Sequence, residues 1–64
     1  MERKRLRQLR RAKGYSLEEL ASAMGSLVTR QALFRYENGT AKPMPKVAVR
    51  LASALGVREV QLWN

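Results

Sequence analysis

Apolar residues recur three and four positions apart along this chain, in short runs broken by Gly14, Gly25, Gly39, Pro43, Pro45 and Gly56. That spacing is the period of a helix with one buried face. With few β-branched residues between the breaks, the pattern predicts an all-α chain: a compact bundle of four to five short helices.

The first helix should run from about Arg3 to Lys13, with Leu6 and Leu9 facing inward and Gly14 as its stop. Ser16 opens the second. Glu19 stands three residues on, so each side chain can satisfy the other's backbone N–H in a capping box. The stripe of this helix is Leu17, Leu20, Ala21 and Met24, and Gly25 ends it. Thr29 caps the third helix, which turns Ala32, Leu33 and Tyr36 inward and closes at Asn38-Gly39. The fourth runs from about Pro45 to Leu55 on Val47, Ala48, Leu51, Ala52 and Leu55, and "REVQLWN" after Gly56 can add a last turn or two. None of these helices can bury its stripe alone. Packed together they enclose Leu6, Leu9, Leu20, Met24, Leu33, Tyr36, Leu51 and Leu55 in a single domain over residues 1–64.

The third helix is unusual on its outer side. At about 100° per residue, Arg30, Gln31, Phe34 and Arg35 fall within about 140° of one another, opposite the apolar stripe. A solvated face usually carries lysine and glutamate. Two arginines, a glutamine and a large aromatic ring suit the edges of base pairs instead. Arginine can bridge guanine O6 and N7, glutamine can bridge adenine N7 and N6, and a phenyl ring can pack on a thymine methyl.

Charge points the same way. Thirteen Lys and Arg against five Glu give +8 in 64 residues, a balance that speaks about partners and not about fold. Seven of these cations, Arg3, Lys4, Arg5, Arg7, Arg10, Arg11 and Lys13, crowd the first helix. The chain has no cysteine, histidine or aspartate, so thiolate and imidazole metal sites and the commonest general base are all missing. An enzyme is not expected, nor is a metal or any other cofactor. No apolar run is long enough to span a bilayer, and the basic start lacks the apolar stretch of a signal peptide. A soluble, cytoplasmic protein is the simplest expectation.

The second and third helices, with their capping box, intervening glycine and closing "RYENG", resemble the helix-turn-helix of the phage repressor and Cro (Xre-like) family. The resemblance covers nearly the whole chain: "LRQLRRAKGYSLEELASAMG" is similar to the family's first two helices, "TRQALFRYENG" to its recognition helix, and "LASALGV" to the end of its fourth. It implies a lambda-repressor-like fold that binds double-stranded DNA in a sequence-specific way, as a prokaryotic or phage transcription regulator and more often a repressor than an activator. Arg30, Gln31, Phe34 and Arg35 would read bases in the major groove. Phosphates would be gripped at helix ends and adjacent loops by Ser16 and Leu17 through their backbone, and by Thr29, Asn38, Thr40, Lys42 and Lys46. The resemblance further implies that Arg10 and Glu37 bridge the first and third helices in a partly buried, structural ion pair.

Three departures from the family pattern stand out. Four residues, "SLVT", lie between Gly25 and Arg30 where about two are usual, and position 17 is leucine where the family often has a DNA-gripping glutamine. The loop after Gly39 is also less basic than usual. Longer turns of this kind resemble helix-turn-helix domains fused to a zinc metallopeptidase, so the DNA-binding part of a larger regulator is an alternative reading. A nonspecific basic nucleic-acid binder is the other. Because one small domain covers about one half-site, a homodimer on DNA is expected. Its seam would be Val60, Leu62 and Trp63, with Leu62 also able to turn into the core.

Overall fold

The computed structural model describes residues 4–63. It contains four α-helices, α1 (Lys4–Ala12), α2 (Leu17–Ala23), α3 (Arg30–Asn38) and α4 (Pro45–Leu55), and a terminal 3₁₀ turn (Glu59–Leu62). No strand occurs among the described residues. The expected start of the first helix at Arg3 lies outside them.

Local chemistry sets each boundary. Ser16 and Glu19 close the capping box reciprocally: the Ser16 N–H donates to Glu19 Oε1 (2.8 Å) and the Glu19 N–H to Ser16 Oγ (3.0 Å). Thr29 Oγ1 accepts the Ala32 N–H (3.2 Å) at the start of α3. Proline at the first position of α4 gives up a donor that would have no intrahelical partner there. At the far end of α3, Gly39 has φ 78°, which lets its N–H and that of Thr40 turn back onto the last carbonyls. Between α2 and α3, Gly25 (φ 71°) and Ser26 (φ 58°) are both left-handed. Ser26 is the single non-glycine residue with positive φ among those described, so the lengthened turn carries local strain.

The helices meet over Leu6, Leu20, Met24, Leu33, Leu51, Ala52, Leu55 and Leu62, and Ala48 of α4 is buried as well. Fully burying one such leucine is worth about 1.5–3 kcal/mol, so this cluster is the main source of stability. Leu9 and Tyr36, expected inside, are half-buried and pack against the cluster from its edge. Leu62 has no exposed surface at all. The expected seam of Val60, Leu62 and Trp63 is corrected accordingly: Leu62 belongs to the monomer core, while Val60 and Trp63 stay exposed. The physical reason is that a 3₁₀ turn repeats every three residues, so burying Leu62 sends its neighbours outward. The radius of gyration, 10.0 Å, is close to the roughly 11 Å expected for a packed domain of this length.

In this arrangement α2 packs chiefly on α3, α4 packs on the terminal turn, and α1 touches both α3 and that turn.

Candidate nucleic-acid interface

All four residues of the outer face of α3, Arg30, Gln31, Phe34 and Arg35, are exposed, and Phe34 shows 53% of its surface. The ring is bare enough to offer an apolar face to a partner. A shallow depression lined by Leu17, Arg30, Gln31 and Phe34 runs between the start of α2 and the first turns of α3. The structure therefore joins Leu17 to the arginine–glutamine–phenylalanine set in one concave surface. On its rim the Arg30 guanidinium approaches the Glu18 carboxylate, with Nε 3.9 Å from Oε1 and both side chains largely in solvent.

The residues expected to grip phosphate fare unevenly. Leu17 offers a first-turn amide of α2, which has no acceptor within its own helix. The Ser16 N–H is already held by Glu19, so its backbone is not a free donor, and its hydroxyl proton, which also bears on the Glu19 carboxylate, would have to leave that group to reach a phosphate. Thr29 Oγ1 accepts from Ala32, which leaves a hydroxyl proton to donate. Thr40 does the reverse: its hydroxyl donates to the Arg35 carbonyl (3.3 Å), closing the end of α3, and a phosphate oxygen would have to compete for that proton. Asn38 accepts from Arg7 Nη2 at 3.5 Å through Oδ1, leaving the amide NH₂ to donate. Lys42 and Lys46 are exposed.

Among the described residues Glu37 is the one buried charged residue, at 2% exposure. Arg10 straps it side-on, with Nε to Oε2 at 2.6 Å and Nη2 to Oε1 at 3.2 Å, while Nη1 donates to the Tyr15 carbonyl at 2.8 Å. Arg7, one turn earlier on the same face of α1, places its Nε 3.3 Å from Glu37 Oε1. Two guanidinium groups thus tie α1 to the last turn of α3. A carboxylate this deep is tolerable only when its oxygens are satisfied by charged donors, and here they are. The family resemblance pairs Arg10 with Glu37 but says nothing of Arg7. The helical spacing of Arg7 and Arg10 is the signal that could have found it.

Two further cations stand at helix ends. A Cβ on Gly56 would lie 3.3 Å from Lys13 Nζ, which puts that ammonium at the carboxyl end of α4. A Cβ on Gly25 would lie 3.6 Å from Arg50 Nη1, at the carboxyl end of α2. Both positions favour a positive charge, because the helix dipole ends negative there. The basic residues therefore divide between Arg7 and Arg10, drawn onto Glu37, and those, such as Arg30, Arg35, Lys42 and Lys46, that are exposed. The Ser16 backbone N–H, and after it the Ser16 hydroxyl, hold the Glu19 carboxyl below the usual carboxylate range.

Among the described residues no cluster of His, Cys, Asp and Glu could hold a metal ion, and no helix is long and apolar enough to cross a membrane.

Comparison with known proteins gives a consistent picture. The model of a helix-turn-helix family matches residues 6–62. A protein of Pyrococcus abyssi (strain GE5 / Orsay), provisionally named as an HTH-type transcriptional regulatory protein, is 50% identical over 48 residues, which are 75% of this chain and 15% of that protein. An SPbeta prophage-derived uncharacterized HTH-type transcriptional regulator of Bacillus subtilis (strain 168), YonR, is 42% identical over 53 residues, 83% of this chain and 47% of the relative. The chain thus spans less than half the length of either relative. No solved structure gives a significant match.

Proposed function

The chain belongs to the helix-turn-helix family, whose members are DNA-binding transcription regulators, and on that premise we propose that it reads a specific double-stranded DNA sequence with α3 in the major groove. Arg30 and Gln31, in the first turn, reach base edges; Phe34 packs on a thymine methyl; Arg35 reaches a base or the flanking phosphate. The amide of Leu17, the hydroxyls of Ser16 and Thr29, the Asn38 amide and the ammonium groups of Lys42 and Lys46 hold the backbone on either side. Thr40 joins them only if its proton leaves the Arg35 carbonyl. The names of both relatives favour a regulator of transcription, and the domain would act as that regulator's DNA-binding part, most simply a repressor.

The observation that carries the reading is the exposed set Arg30, Gln31, Phe34 and Arg35 on a helix whose far end is clamped by Glu37. A clamped helix presents its side chains in a fixed register, and base reading needs that register. Charge alone would require neither a glutamine nor a bare phenyl ring there. Two copies would bind a near-palindromic site, with exposed Val60 and Trp63 at the seam between them. Tryptophan is a favoured anchor for such a contact.

Selection of bound duplexes from a random pool tests the proposal. The expected result is a two-fold motif with half-sites about 10–10.5 base pairs apart. Retention that depends on salt and enriches no sequence would identify a nonspecific binder and overturn it.

A further inference from the structure

Glu18 is an anomaly at this surface. The chain carries +8 and faces a polyanion, yet an exposed carboxylate stands on the rim of the depression that holds the base-reading residues. The other described glutamates have different surroundings. Glu19 closes the α2 cap, Glu37 lies under two arginines, and Glu59 opens the terminal turn. Glu18 makes no such contact, and its ion-pair partner is Arg30 across the α2–α3 gap.

The direction of that contact matters. The nearest approach is to Nε, at 3.9 Å, so the carboxylate stands on the stem side of the guanidinium. The terminal pair of nitrogens is left for another acceptor. An arginine gripping guanine O6 and N7 end-on uses that terminal pair. The opposed charge also discourages the long, flexible Arg30 side chain from swinging to a phosphate, the commoner destination of an interfacial arginine.

We infer that Glu18 is a specificity-determining positioning residue: it steers Arg30 toward a guanine edge and repels backbone-only attachment of the same face. This rests on the base reading proposed above for α3. It adds that a residue of α2, touching no base, sets how strictly Arg30 reads. It follows that Glu18 lowers nonspecific affinity while raising discrimination at one base pair.

The test compares wild type, Glu18→Gln, Arg30→Ala and the double variant on three probes at fixed salt: the duplex selected by the wild-type chain, that duplex with the Arg30-dependent base pair replaced, and a random-sequence duplex. Glu18→Gln should bind the random duplex about 2–5-fold more tightly, as expected for removing one negative charge from the interface. Its discrimination between the selected and replaced duplexes should fall about 3-fold or more. In the Arg30→Ala background the same substitution should tighten all probes alike. An unchanged discrimination ratio in Glu18→Gln, with Arg30→Ala still losing it, would overturn the role of Glu18 and leave the base reading intact. A wild-type chain that prefers no duplex would overturn both. Because Glu18 is exposed and the Ser16–Glu19 cap is untouched, an unaltered melting curve is expected for Glu18→Gln.

Discussion

Arg10 and Arg35 are the same residue type on two helices of one small domain, and their surroundings are opposite. Arg10 keeps 12% of its side-chain surface, with its donors committed to Glu37 and the Tyr15 carbonyl. Arg35 is exposed on the outer side of the helix that Glu37 anchors, and so is Arg30. The buried carboxylate separates them. A guanidinium that meets a desolvated acid becomes part of the scaffold, whereas one left largely in solvent keeps its rigid fork of donors for a partner. Net charge alone cannot tell these two populations apart.

Removing the acid should produce the largest effect. Glu37→Ala leaves Arg10 and Arg7 without their carboxylate partner and should lower stability by about 3–5 kcal/mol in denaturant or thermal melting. Arg35→Ala, on the exposed side, should stay within about 0.5 kcal/mol of wild type. Arg10→Ala combined with Glu37→Ala should show strong coupling, and Arg7→Ala a weaker share of it. If Glu37→Ala melts like Arg35→Ala, the division between scaffold and reader collapses.

The exposed side is tested by affinity. Arg30→Ala and Gln31→Ala should each cost about 1–3 kcal/mol on the selected duplex with far less loss on random DNA. Equal losses on both probes would move these residues to the phosphate list. Lys42→Ala should weaken both kinds of DNA alike and make the salt slope shallower by about one unit per protomer.

Between the two regions lies the strained turn. Ser26→Gly removes a left-handed non-glycine residue from the link between α2 and α3, and should raise stability by up to about 1 kcal/mol in denaturant melts. A drop in stability would mean that the serine side chain supports the turn.

The smallest expected effect is a pH dependence at the start of α2. The Glu19 carboxyl is held below its ordinary range by Ser16, so its contribution is present above the unfolded-chain value and is lost as pH falls through the lower folded value. Protection of the Ser16 amide, whose N–H the carboxylate accepts, should therefore fall on acidification once intrinsic rates are divided out, and Glu19→Gln, which keeps an acceptor, should flatten that fall. Exchange that is insensitive to pH beyond the intrinsic rate would remove the carboxylate from the cap.

Much of this architecture was legible from residue pattern. Ser16 with Glu19, Thr29 before the third helix, and Pro45 and Gly56 around the fourth set boundaries that hold to within a residue or two, because capping is local chemistry. The inward positions Leu20, Leu33, Leu51 and Leu55 followed from helical periodicity alone. What escaped the pattern depends on how helices cross. Leu62 fills the core because the terminal turn packs on α4, and "REVQLWN" is too short to show a period. Glu18 meets Arg30 only through the way α2 and α3 cross, which no pattern within one helix shows. The left-handed Ser26 escaped for a related reason, since serine carries no strong preference for that conformation.

The central claim is that the guanidinium groups of α1 bound to Glu37 are scaffold while those on the outer face of α3 are readers. Titrating a ¹⁵N-arginine-labelled chain with the selected duplex, and following the Nε–Hε resonances, tests it in one experiment. The account predicts that Arg30 and Arg35 shift strongly while Arg10, held by Glu37 and Tyr15, stays in place. Large shifts at Arg10 with Arg30 and Arg35 unmoved would contradict it.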